Sequence, residues 1–306
     1  MIEEVLVTNS SGETLPLTLK NPGSSGFYLL GVDGLGPVKT NLNIRDNTLT
    51  SGGVFNSART PTRNIVIYLR FMASPTIEAA RLRSYNFFMT ESRIRLDIRT
   101  DAGTYYIYGY VESNDTYIFS KNQGCSVSII CPDPFLQKEN EIITGSITRI
   151  DQGFEFPFLN EGSSDTLILG ERVYPYSEFY IPFIGTVNVG PKIIIQAEGG
   201  SVINPTLQFS NPYSFSDVES LGFTFTDTLP ALADGDYLEI VCERTNKSVR
   251  RYSVATNTFI NYIGAVNYDS SWPILHPGDN VFAYNADDGV ENIRLIYEYT
   301  PRYIGV

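Results

Sequence analysis

Apolar and polar residues alternate with a period of two through most of this chain. The segment NIVIYLRF (Asn64–Phe71) puts Ile65, Ile67, Leu69 and Phe71 on one face, with Val66, Tyr68 and Arg70 on the other. RIRLDIR (Arg93–Arg99) is cleaner: Ile94, Leu96 and Ile98 face in, while Arg93, Arg95, Asp97 and Arg99 face out. The loop TDAGT then leads into YYIYGYV, which predicts a β-hairpin with a glycine-bearing turn. In CSVSIICPDP (Cys125–Pro134), Cys125, Val127, Ile129 and Cys131 share one face and Ser126 and Ser128 the other. Pro132 and Pro134 lack backbone N–H donors, so this segment predicts the last strand of a first domain.

Two stretches depart from the alternation. In the first, Ser74 is the predicted N-cap of a helix, Pro75 its first residue, and Glu78 the carboxylate of its first turn. Ile77, Ala80, Tyr85 and Phe88 make its apolar stripe, which predicts packing across a sheet. The second, Asn41–Arg63, is polar, carries Gly52-Gly53 and holds few core residues for its length. An excursion of that kind predicts a projecting arm that docks on a neighbouring subunit.

The texture loosens after Pro134 through FLQKENEIITGSITRIDQG, the expected linker. The chain then divides as a domain over 1–135, a linker over 136–150 and a second domain over 151–306. Strands are expected near GTVNVGPKIIIQAEG, GFTFT, DYLEIVCE, KSVRRYSV, NVFAY and ENIRLIYEY, the spacing of a β-sandwich.

Composition agrees with an all-β chain bearing one helix. Of 306 residues 42% are hydrophobic and 13% aromatic, with 20 Tyr and 18 Phe, unlike the Ala/Leu/Glu/Lys profile of a helical protein. The net charge of -12 comes without basic clusters, which argues against specific nucleic-acid binding. An acidic wall can still enclose DNA, because like charges let it slide past. Three cysteines make no disulfide scaffold. Cys125 and Cys131 would sit roughly 20 Å apart along a strand, too far for a bond or a shared metal. They read as small apolar side chains. The N-terminus lacks the basic and apolar regions of a signal peptide, and no stretch reaches the ~20 apolar residues of a membrane helix. Synthesis in a reducing cytoplasm is expected, which leaves the sequons at Asn9, Asn114 and Asn246 without weight.

Candidate chemistry is sparse. His276, the sole histidine, sits beside Pro277-Gly278 and reads as a turn residue rather than a catalytic base or metal ligand. NADDGVEN (Asn285–Asn292) resembles a calcium loop, but the twelfth position is Ile296 where a Glu is needed, so a turn explains it better. A carboxylate pair for glycoside hydrolysis is no signal in a chain with 34 acidic residues. GLGP (Gly34–Pro37) lacks the third glycine of a dinucleotide loop. Trp272, flanked by Pro273, Ile274 and Leu275, reads as a core or edge plug before a sugar-stacking platform. With Tyr174, Tyr176 and Tyr180 it forms the candidate ligand or partner surface of the second domain. No catalytic, cofactor-binding or metal-binding residue is expected, and no enzyme.

Several segments together resemble the distal tail (Dit) proteins of phages with long, non-contractile tails. They are GLGPVKTNLNI, GGVFNSARTPTRNIVIYLRF, the run from Arg93 to Phe135, and the late SWPILHPGDNVFAY with terminal YIGV. The most specific order is Gly109-Tyr110-Val111-Glu112-Ser113, then Ile118-Phe119-Ser120, then Cys131-Pro132-Asp133-Pro134-Phe135. The resemblance implies an N-terminal split-barrel-like domain with one helix and a galectin-like C-terminal sandwich. It also implies a hexameric ring at the tail tip, joining the tail tube protein to a tail-tip hub or tail-associated lysin-type protein and passing DNA. A receptor-binding protein is a further implied partner, and the virion the implied location. The arm over 48–63, with Thr48, Ser51, Gly52, Gly53, Phe55, Arg59 and Arg63, would meet the adjacent subunit. The galectin sugar motifs do not carry over: His276 precedes Pro277-Gly278 and Trp272 precedes Pro273. The runner-up reading is a carbohydrate-binding adhesion module of the tail tip. A wall-degrading enzyme comes third.

Overall fold

The computed structural model describes residues 2–18, 20–21, 25–46, 51–73, 75–138, 142–147, 149–152, 170–173, 179–211 and 213–306. The chain is mainly β and splits into two compact units, one of residues 1–141 with 302–306 and one of residues 142–301.

The first unit runs β1 (Ile2–Thr8), β2 (Thr14–Thr18), β3 (Phe27–Asp33), β4 (Asn41–Asp46), β5 (Gly53–Arg59), β6 (Arg63–Phe71), α1 (Ile77–Phe87), β7 (Arg93–Thr100), β8 (Gly103–Tyr117), β9 (Gly124–Cys131) and β10 (Leu136–Lys138). The second holds β11 (Ile143–Ile147), β12 (Arg149–Gln152), β13 (Gly170–Val173), β14 (Phe179–Phe183), β15 (Lys192–Ala197), β16 (Thr206–Asn211), β17 (Ser214–Gly222), β18 (Tyr237–Val241), β19 (Ser248–Ser253), β20 (Thr258–Asn261), β21 (Gly278–Asn285) and β22 (Ile293–Tyr299). The terminal β23 (Arg302–Tyr303) returns to the first.

In the first unit a nine-stranded antiparallel sheet takes the order β2-β1-β7-β8-β9-β6-β3, with β10 pairing both β8 and β23. The alternation reads directly into its core. Register sets Ile65, Ile67 and Leu69 opposite Ile129, Val127 and Cys125, and all six are buried. The hairpin closes with Thr100 opposite Gly103, leaving a two-residue turn. Gly109 allows β8 to pass close to β9: a Cβ there would lie 2.5 Å from Ile129 Cγ2 and 2.9 Å from Cys131 Sγ.

The helix differs from expectation at both its start and its face. Its N-cap is Thr76, whose hydroxyl accepts from the Ala79 N–H at 3.1 Å; Ser74 lies outside the described residues. The buried face is Ala80, Ser84 and Phe87, continued by Phe88, while Ile77 and Tyr85 are exposed. Ser84 can occupy the buried stripe because its hydroxyl bonds back to the Arg81 carbonyl at 2.8 Å. Tyr85 is one position around the helix from that stripe.

The proline pair interrupts the ladder without ending it. After Cys131 the chain bulges through Pro132–Phe135, then resumes beside the same strand, with Gln137 opposite Tyr106 and Lys138 opposite Tyr105. On its other side β10 pairs β23, Leu136 opposite Tyr303. The compact first unit therefore extends past Phe135 and includes the last five residues, which the expected partition assigned to linker and second domain. Pairing on two sides brings those residues in.

The second unit has a six-stranded sheet, β11-β22-β15-β18-β19-β20, and a four-stranded sheet, β14-β21-β16-β17. Ile193, Ile195, Leu238 and Ile240 of the first join Ile181, Leu207, Phe209 and Phe282 of the second in one core, so the sheets form a sandwich. Around the expected strand GFTFT, the ladder is β17 and closes at Gly222, beyond which Phe223 and Thr226 make only isolated bridges. A buried pair pins the sandwich edge: Arg251 Nε donates to Asp236 Oδ2 at 3.1 Å and Arg251 Nη1 to Tyr262 Oη at 2.6 Å. Burial pushes the Asp236 carboxyl up, but the bonds from Arg251 and from the N–H groups of Val254 and Ala233 outweigh it and hold the pKa below its ordinary value.

Candidate assembly surfaces

The polar excursion folds as a two-stranded ribbon, β4–β5, a sheet of its own whose residues are all exposed. The register makes it amphipathic. Leu42 lies opposite Ala58 and Ile44 opposite Phe55, so these four share a face, whereas Arg45 opposite Val54 and Asn43 opposite Ser57 lie on the other. Leu42, Ile44 and Phe55 remain 59%, 52% and 60% exposed. Covering them would contribute roughly 1–1.5 kcal/mol each, about half the full burial of such side chains. A lone two-stranded ribbon is marginal in water, and no described residue shields these apolar side chains from solvent.

Among the seven expected arm residues, Ser51 and Gly52 lie in the ribbon turn and Gly53, Phe55 and Arg59 on β5, all exposed. Thr48 lies outside the described residues. Arg63 is a correction: it belongs to the core and is 1% exposed. Its Nε donates to the Pro134 carbonyl at 2.6 Å, Nη1 to those of Gly34 at 2.7 Å and Gly36 at 2.9 Å, and Nη2 to that of Ile304 at 2.6 Å. Burial lowers its pKa. The guanidinium fork thus ties the proline bulge and the chain terminus to the sheet, satisfying carbonyls that no ladder reaches. Gly305 completes the seam, since a Cβ there would meet the Leu35 carbonyl and Gly36 at 3.1 Å.

A second surface lies over the bulge. Tyr106, Tyr108 and Tyr110 project from one face of β8, and Arg95 and Arg93 of β7 stack on the first two rings at 4.5 and 4.3 Å. The three rings, with Arg93, Pro132, Asp133 and Phe135, line a cleft of about 270 Å³. Sequence reading missed it; the signal was tyrosine at every second position beside a Pro-Asp-Pro bulge.

In the second unit, Tyr180 is exposed on β14, whereas Tyr174 and Tyr176 lie outside the described residues. Trp272 is half-buried and packs against the core, with Lys247 Nζ 5.1 Å from its ring centroid. His276 stands in a tied turn: its N–H donates to Asn280 Oδ1, and Asn280 Nδ2 donates to its carbonyl, both at 2.8 Å. Burial lowers its pKa, against the opposing charge of Glu219. Cys125, Cys131 and Cys242 are buried free thiols, each pushed up to about 12 by burial. They are not nucleophiles at neutral pH. Among the described residues no group of three His, Cys, Asp or Glu could hold a metal, and no helix is long and apolar enough to cross a membrane.

Neither a family model nor a curated protein matches this chain. Solved structures do. The crystal structure of the SPP1 Dit (gp 19.1) protein, described as a paradigm of hub adsorption apparatus in Gram-positive infecting phages, superposes at a TM-score of 0.63 with 11% identity. The match covers 97% of this chain and 98% of that one. The fold is Dit-like. Two structures of the phage p2 baseplate in its activated conformation, with Sr and with Ca, match over 97% of this chain at 11% and 12% identity. Those two reach only a TM-score of 0.42, too low to bear on the fold.

Proposed function

We propose that this chain is a structural component of a phage tail tip, a hub that forms a hexameric ring between the tail tube protein and the baseplate or tail-tip hub protein. DNA passes through the ring without specific binding, and the second unit carries receptor-binding proteins. The observation that carries the reading is the Dit-like fold over nearly the whole chain, joined by an amphipathic ribbon whose apolar face is bare. The net charge of -12 suits a wall along which DNA must slide. The chain is no enzyme on this reading: the buried thiols and the tied His276 turn offer no activated nucleophile or organised base. The carbohydrate-binding reading is the alternative: Trp272 lines a small pocket with Asp217, Glu219 and His276, but it is half-buried against the core and its ring is met by Lys247.

Light scattering with negative-stain imaging tests the proposal. Purified chain, alone or with its hub partner, is expected to give six-fold rings. A strict monomer under both conditions contradicts it.

A further inference from the structure

We propose that the cleft over the Pro132–Phe135 bulge recognises an acidic segment of a different protein, taking one carboxylate side chain on Arg93 with an apolar side chain beside it. The inference goes beyond the ring reading, which uses the ribbon and not this cleft. Its basis is the arginine of β7 that has no counter-charge. Arg93, Arg95 and Arg99 alternate onto one face of the strand. Arg95 Nε donates to Asp97 Oδ1 at 2.8 Å, and Arg99 Nη1 lies 3.1 Å from Glu4 Oε2. Arg93 has no hydrogen bond or ion pair among the described residues; it rests on the Tyr108 ring, 4.3 Å from its centroid. A guanidinium stacked in this way keeps its N–H donors at its edge, held in one plane and free for a ligand.

The cleft adds an apolar wall to that charge. Tyr110 lies directly opposite Arg93 in the ladder, and Pro132 and Phe135 stand across from it. The volume of about 270 Å³ exceeds the ~150 Å³ that holds a benzene ring, which leaves room for an apolar side chain and a carboxylate together. Charge then selects among anions. Asp133 on the rim is paired with Arg302 at 3.3 Å, so Arg93 is the one uncompensated charge among the lining residues. It neutralises a single negative charge. A phosphodiester chain would bring a run of them to a protein of net -12. One carboxylate instead matches the guanidinium fork, two oxygens to two N–H groups. The ribbon already serves contact between copies in the proposed ring, which leaves the cleft to another protein.

A random peptide library displayed on filamentous phage, selected on the full-length chain and counter-selected on its Arg93→Glu variant, tests this. Enriched peptides should place Asp or Glu beside Phe, Tyr, Leu or Ile. Titrated by fluorescence anisotropy, they should bind Arg93→Glu roughly tenfold more weakly or worse, at an unchanged melting temperature. Replacing the peptide's acid by lysine should restore binding to that variant, and Arg93→Lys should fall between the two. No enrichment, or equal binding to Arg93→Glu, overturns the inference. Displacement by inorganic phosphate at the peptide's own concentration overturns the carboxylate assignment. Loss of self-assembly in Arg93→Glu would make a second copy the occupant and overturn the assignment to a different protein. Peptide binding by a chain that forms no ring would remove the ring reading and uphold this one.

Discussion

Two antiparallel pairs in the first unit, β4–β5 and β6–β9, follow the same rule of alternation and end in opposite places. In β6–β9 the apolar residues Ile65, Ile67, Leu69, Cys125, Val127 and Ile129 are all buried, with further strands on either side. In β4–β5 the apolar residues Leu42, Ile44 and Phe55 pair across the strands in the same manner, yet more than half of each remains in solvent. The difference teaches that alternation specifies a face to be covered and is silent about what covers it. Inside a sheet the chain supplies its own cover. On the ribbon the described residues leave that face exposed, and the proposed ring would cover it with another copy.

Arg63 marks the seam between the two regimes, and changing it should produce the largest effect. Arg63→Ala would leave the carbonyls of Pro134, Gly34, Gly36 and Ile304 without their donor. At about 1–3 kcal/mol for each unpaired buried group, some relieved by water, urea denaturation is expected to show a loss of at least about 3 kcal/mol. A variant as stable as wild type would return Arg63 to the arm. A matched pair of small truncations sharpens the comparison further. Ile67→Val in the core should cost about 1 kcal/mol, while Ile44→Val on the ribbon should leave the unfolding midpoint of the unassembled chain unmoved. Equal costs at the two sites would mean that the ribbon is part of the chain's own core.

Much of this was legible in the sequence. The strand from Asn64 to Phe71, the hairpin around Asp101-Ala102 and the burial of Cys125 and Cys131 all follow from period-two patterning, because one side of each strand faces a single core. The excursion over 41–63 was legible as a projecting element from its polarity and its Gly52-Gly53 pair. Its amphipathic face was not, since a bulge between Asn43 and Ile44 shifts the register and hides the pairing of Ile44 with Phe55. Arg63 was misplaced for a related reason. Arginine is rarely buried, and nothing local announces that carbonyls from residues 34, 36, 134 and 304 converge on it. The return of the terminus to the first unit and the cleft over the bulge are likewise products of distant pairing.

The central claim is that the ribbon's apolar face is covered by another copy of the chain. Sedimentation velocity of the wild type and of an Ile44→Asp, Phe55→Asp double variant, with thermal unfolding of both, tests it most directly. The account predicts a ring-sized species for the wild type and a monomer for the variant, with superimposable unfolding of the monomers. A variant that assembles as the wild type does, or that unfolds at a markedly lower temperature, would contradict it.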